Sequence, residues 1–142
     1  MTACYLDTSV LVAALGNEQH TVKTQNWLAE QPAEDLFISD WVITEFSSAL
    51  ALKLRTRQIK DHHRAECLSA FARLIEHNLT VLSVSTADFR AAARLADQPH
   101  IGLRADDALH LAICAARGLR MVTLYKPLAK AATRLAVPAR LP

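Results

Sequence analysis

Apolar positions along this chain follow two rhythms. Four short runs, residues 3–6, 36–39, 80–84 and 121–124, are nearly unbroken and carry aromatic or β-branched side chains, as strands buried on both faces of a parallel sheet do. Between them the apolar residues recur at helical spacing. Ser39 and Asp40 can cap a helix whose stripe includes Ile43, Phe46, Leu50 and Leu54, and a second helix over residues 61–77 lines up Cys67, Leu68, Phe71, Leu74 and Ile75. A third starts at Thr86 or Asp88 and stops near Gln98-Pro99; a fourth starts at Asp106 or Asp107 and stops at Gly118. No repeat, linker or low-complexity tract breaks the order. The alternation predicts an α/β fold, a three-layer α/β/α sandwich on a short, mainly parallel sheet, with residues 1–142 as one domain. Its ligands are expected beyond the carboxyl ends of the strands.

Composition narrows the class. At 142 residues and 51% hydrophobic, the chain can bury roughly two-thirds of its unfolded surface. No apolar run approaches the ~20 residues of a membrane span, and the first residues lack a basic region leading into a signal-like core. A cytoplasmic protein without membrane attachment is expected. Cys4, Cys67 and Cys114, odd in number and widely spaced, read as small buried hydrophobes and not as a disulfide frame or zinc site.

The net charge of +2 conceals a gradient. Residues 1–52 hold seven acids against Lys23 alone, residues 53–107 nine bases against seven acids, and residues 108–142 six bases and no acid. Such a gradient suits a polyanion whose backbone is held by cations while one phosphate meets a metal. An unevenly charged solvated surface would look the same.

Three acids interrupt the apolar pattern. Asp7 ends the first run, Glu45 sits inside Val42-Ile43-Thr44-Glu45-Phe46, and Asp107 precedes Ala108-Leu109-His110-Leu111-Ala112-Ile113. Carboxylates are seldom buried without a partner. Asp7 can cap the helix that follows, and Asp107 can serve a helix start in competition with Asp106, or pair with Arg104. Glu45 has no such outlet, because Trp41, Val42, Ser48 and Ala49 are its neighbours one helical turn away. Three acids with few basic neighbours suggest a shared hard cation. Mg²⁺, or Mn²⁺ in its place, takes carboxylate oxygens, keeps several waters, and can lower the pKa of one of them for attack on a phosphodiester. His110 reads as a satisfied interior imidazole.

At these residues the chain resembles a known family. Tyr5-Leu6-Asp7-Thr8-Ser9-Val10-Leu11-Val12-Ala13, Ile43-Thr44-Glu45-Phe46 and Asp107-Ala108-Leu109-His110-Leu111-Ala112 resemble the three motifs of PIN-domain ribonucleases, most closely the VapC toxins of bacterial toxin–antitoxin pairs. The resemblance implies a Mg²⁺-dependent endoribonuclease cutting structured RNA such as tRNA or rRNA, a homodimer, and a VapB-like antitoxin that occludes the site. It assigns Asp7, Glu45 and Asp107 as catalytic acids, with Asp7 and Asp107 as direct metal ligands and Glu45 binding a second metal or orienting water. Thr8, Ser9, Asp106 and Thr123 stand beside these positions as auxiliary candidates, and Lys53, Arg55, Arg57, Lys126 and Lys130 as candidate RNA contacts.

One departure is plain. In Met121-Val122-Thr123-Leu124-Tyr125-Lys126, which resembles the family's last strand and turn, Tyr125 holds a position where an aspartate often stands. A phenol with a pKa near ~10 is a poor substitute for a carboxylate. One alternative is therefore a catalytically impaired PIN-like RNA-binding module. Another is a phospho-acceptor α/β domain with Asp7 as nucleophile, against which Asp7-Thr8-Ser9 lacks a second acid two positions on.

Overall fold

The computed structural model describes residues 2–142. Five parallel strands, β1 (Cys4–Leu6), β2 (Leu36–Ser39), β3 (Thr80–Leu82), β4 (Arg120–Val122) and β5 (Ala139–Arg140), form one sheet in the order β3-β2-β1-β4-β5. The helices are α1 (Thr8–Leu15), α2 (Thr21–Ala29), α3 (Asp40–Arg55), α4 (Asp61–His77), α5 (Thr86–Ala96), α6 (Ala105–Ala116) and α7 (Lys126–Arg134), with a 3₁₀ turn at Ala33–Asp35.

Helices α1 to α4 pack among themselves, and α5 packs on α6. The chain steps from β1 outward to β3 and then returns across β1 to β4. With right-handed crossovers, α1–α4 cover one face and α5–α7 the other, which is the expected sandwich. The central strand β1 has every residue buried, and Tyr5, Leu6, Ile38, Val42, Phe46, Leu111, Ile113, Met121 and Val122 are each 0% exposed in one contiguous core. At about 25 cal/mol per Å² of apolar surface, each such large side chain contributes roughly 1.5–3 kcal/mol.

Local chemistry sets the helix starts. Ser39 caps α3 by accepting from Val42 N–H, and Ser85 and Asp88 form a reciprocal box at the start of α5. Helix α6 departs from the expected start: its cap position is Arg104, and Asp106 and Asp107 lie inside the first turn. Their charges therefore meet the positive end of the helix without capping it. Gly118, at φ +64°, ends α6 and turns the chain into β4. The helices α2 and α7 and the two-residue β5 were not expected from periodicity. A two-residue strand carries too short a pattern to read, and it forms because Met121 and Val122 present an open edge.

Candidate active site

Parallel strands with crossovers to opposite sides leave a crevice where the direction reverses, here between β1 and β4 at their carboxyl ends. Asp7 follows β1 at this point and Thr123 follows β4. Asp7 occupies the cap position of α1, yet its side chain makes no cap hydrogen bond. It is turned across the crevice, 4% exposed. Ser9 Oγ donates to Oδ1 and Thr123 Oγ1 to Oδ2, both at 2.5 Å. Those hydroxyls are themselves held by backbone: Leu124 N–H donates to Ser9 at 3.0 Å and Tyr125 N–H to Thr123 at 2.9 Å. Burial raises the Asp7 pKa, and the two hydroxyls, then the Val10 amide, oppose it. With both oxygens receiving hydroxyl protons and almost no exposure, Asp7 is poorly placed as a nucleophile.

A cavity of about 250 Å³ opens above Asp7, lined by Asp7, Thr8, Ser9, Glu45, Arg104, Asp106, Asp107, His110 and Tyr125. The three expected acids thus reach it from three elements: the end of β1, the second turn of α3 and the first turn of α6. Asp107 is half-buried and accepts no hydrogen bond or ion pair among the described residues. Burial, then its like-charged neighbour Asp106, push its carboxyl up to about 6, with Asp7 adding to the rise and Arg104 opposing it. Arg104, read as a partner for Asp107, instead lies 3.7 Å from Asp106 with 74% of its side chain in solvent.

Glu45 does find partners, from elements distant in sequence. Thr8 Oγ1 donates to Oε1 at 2.6 Å, and His110 Nε2 makes a close hydrogen bond to the same oxygen. Burial raises the Glu45 pKa, but the hydrogen bonds from His110 and then Thr8 outweigh it and leave it lowered. His110 is 2% exposed. Its other nitrogen, Nδ1, lies 2.7 Å from Tyr5 Oη, which lies 2.8 Å from Ser39 Oγ. His110 is indeed an interior imidazole, but it is satisfied by an acid of the cavity. Its spacing from Asp107, one helical turn, was the available signal.

The basic residues divide. Lys53 is held by Glu18 at 3.0 Å, and Lys53 and Arg55 lie at the far end of α3, on the order of 12–15 Å along the helix from Glu45 at 1.5 Å per residue, with Arg57 in the turn beyond it. None of the three lines the cavity. Lys126 follows the cavity residue Tyr125, and Lys130 stands one turn further along α7, both exposed. Arg104 is the cation that does line the cavity, and it was not among the expected RNA contacts. Tyr125 stands at the rim, 42% exposed. No helix among the described residues is long and apolar enough to cross a membrane.

Comparison with known proteins bears on this arrangement. The fold is similar to that of VapC20 of Mycobacterium tuberculosis, described as a sarcin–ricin loop cleaving toxin, with a TM-score of 0.73 and 16% identity over 90% of this chain and 94% of that one. It is also similar to FitAcB from Neisseria gonorrhoeae (TM-score 0.70, 18% identity, 96% and 95% covered) and to DNA-bound VapBC from Salmonella typhimurium (TM-score 0.68, 16% identity, 99% and 98% covered). At these identities the likeness is one of fold. Comparison with curated protein sequences gave no match. The PIN-domain family model matches residues 4–132, a span that contains Asp7, Glu45, Asp107 and both strands flanking the crevice, and the chain therefore belongs to the PIN-domain family.

Proposed function

We propose that this protein is a divalent-metal-dependent endoribonuclease, the toxin of a VapBC-type pair, which hydrolyses phosphodiester bonds in structured RNA such as tRNA or rRNA. The observation that carries the reading is the convergence of Asp7, Glu45 and Asp107 on one cavity at the carboxyl ends of the strands.

The donor set fits Mg²⁺ or Mn²⁺. It is made of hard oxygens, and Asp7 and Asp107 line one cavity with neither carboxylate in an ion pair among the described residues. No group of three His, Cys, Asp or Glu side chains among the described residues forms a ready-made cage. Mg²⁺ typically takes one or two carboxylates and keeps several waters, so a sparse donor set suits it. Asp7 and Asp107 would hold the ion, with Asp106 the adjacent acid at the rim. When bound, the ion supplies Lewis-acid polarisation of the phosphate and a more acidic water.

The chain's own residues do the rest. Ser9 and Thr123 hold both oxygens of Asp7 in one orientation and favour its charged form against burial. His110 and Thr8 bind Glu45 through Oε1 alone, which leaves Oε2 to orient the attacking water and receive its proton. Arg104, exposed at the mouth, can pair with a phosphate bidentately, and Lys126 and Lys130 extend positive charge beside Tyr125. A VapB-like antitoxin and a homodimer belong to the same proposal. They are tested by copurification with the cognate antitoxin and by light scattering.

The deciding experiment incubates purified protein with tRNA and rRNA in Mg²⁺, Mn²⁺ or EDTA. Cleavage is expected with either ion and not in EDTA, and Asp7→Asn is expected to lose at least ~10³-fold while keeping its circular dichroism spectrum. Cleavage by Asp7→Asn at the normal rate refutes the mechanism. Tyr125 supports a second reading, an RNA-binding module without turnover, because its position places a phenol at the cavity rim. That reading expects salt-dependent RNA affinity and no cleavage in any divalent ion.

A further inference from the structure

Ser39, Tyr5 and His110 are 0%, 0% and 2% exposed, so each of their protons must find an acceptor inside the protein. Ser39 Oγ already accepts from Val42 N–H as the cap of α3. Its own proton has one acceptor within reach among the described residues, Tyr5 Oη at 2.8 Å. Tyr5 Oη then accepts from Ser39, and its proton goes to the remaining neighbour, His110 Nδ1 at 2.7 Å. Nδ1 is thereby an acceptor, and the imidazole hydrogen must sit on Nε2, facing Glu45 Oε1. The reverse order, with Nδ1–H donating to Tyr5 and Tyr5 to Ser39, strands the Ser39 proton in the core.

We infer that Ser39 and Tyr5 lock His110 as the neutral Nε2–H tautomer and that His110, so locked, is a positioning residue that fixes Glu45 for the reaction. The relay is a closed ring through three elements. It starts at the cap of α3, crosses β1 at Tyr5 and α6 at His110, and returns to α3 at Glu45. Any shift of α3 against the sheet therefore disturbs both ends at once. Sheet geometry explains why Tyr5 serves: it lies two residues before Asp7, and its neighbours Cys4 and Leu6 face the other way.

The role in catalysis rests on the nuclease reading, but the tautomer does not, and the test separates them. Long-range ¹H–¹⁵N spectra of histidine-labelled protein, with His110 assigned by its loss in His110→Gln, are expected to show one unprotonated nitrogen, Nδ1. In Tyr5→Phe the donor to Nδ1 is gone while Glu45 still holds the proton on Nε2, and the Nδ1 resonance is expected to move to that of an imidazole nitrogen accepting no hydrogen bond. Two protons on His110 in the parent protein, or an unchanged Nδ1 resonance in Tyr5→Phe, overturns the inference whether or not RNA is cut.

In RNA cleavage Tyr5→Phe is expected to lower kcat about 10-fold and His110→Asn about 100-fold, with KM within about two-fold, as partners that orient catalytic ligands commonly do. His110→Gln, whose amide can reach Glu45 where that of asparagine cannot, is expected to recover about 10-fold over His110→Asn. Equal losses in the two His110 variants at equal folded fraction refute the positioning role. Absence of cleavage in the parent protein refutes the nuclease reading and leaves the spectra to decide the tautomer.

Discussion

Replacing Asp107 with asparagine isolates the cost of holding this carboxylate charged in the metal-free protein. In the folded chain it keeps its proton to about 6, against 3.8 for an unperturbed aspartate, because burial and then Asp106 disfavour the charge. At 1.36 kcal/mol per pH unit this is at most about 3 kcal/mol of destabilisation at neutral pH. The group is only half-buried, so solvent screening reduces it to about 1–2 kcal/mol. Against this stands the favourable meeting of an acid with the first turn of α6, worth about 0.3–1 kcal/mol and lost in the variant.

The charge cost wins. Asp107→Asn is expected to be more stable than the parent by about 1 kcal/mol in EDTA at pH 7.5, a rise in Tm of about 3 °C. The sign follows from a raised folded pKa: the benefit of the protonated form is complete below about 3.8 and is lost as pH rises to about 6. The stability gap between the two proteins should therefore open across that window and stay constant above it. Mg²⁺ at about 100 times its Kd should stabilise the parent by about 2.7 kcal/mol and the variant far less. Thermal melts at several pH values, with and without Mg²⁺, measure all of this. A variant less stable than the parent in EDTA, or one stabilised equally by Mg²⁺, refutes the reasoning.

Other outcomes follow from neighbouring contacts. Thr123→Val keeps the shape but removes the donor to Asp7 Oδ2, so Mn²⁺ affinity measured by calorimetry should fall about 10–100-fold; unchanged affinity would reduce the hydroxyl to packing. Arg117 donates to both oxygens of buried Asp88 at 3.1 Å and to the Ser83 and Ile113 carbonyls. Arg117→Ala should cost about 3–5 kcal/mol in urea unfolding without changing cleavage per folded molecule. Arg117 holds the Asp88 carboxyl below its usual 3.8, so in the parent this stabilisation is present at neutral pH and fades as pH falls through that depressed value. A small, pH-independent loss would contradict it. Tyr125→Asp places a further acid at the cavity rim and should raise Mn²⁺ affinity and cleavage about 10-fold or more, because such sites are tuned by ligand charge. An unchanged rate would show that this position contributes only the backbone N–H that holds Thr123.

The helices α3, α4 and α5 and the strand β2 were legible in the sequence because their signals are local. A stripe recurring every three or four residues, or a serine before a helix, records a preference that needs no distant partner. Asp7, Glu45 and Asp107 stood out for a related reason, since an acid in an apolar run is a local anomaly and the order of the three resembles a family. What those acids touch was decided by the tertiary structure alone. Glu45 meets His110 across 65 residues and Asp7 meets Thr123 across 116, while Lys53 is spent on Glu18 and Arg104 turns to Asp106. Tyr5 read as one more aromatic in a buried strand, and its hydroxyl gained a role only when α3 and α6 closed over β1. Periodicity states which face of an element is buried. The identity of a hydrogen-bond partner depends on strand order, crossover side and the angle of each helix, and these emerge only when the elements pack.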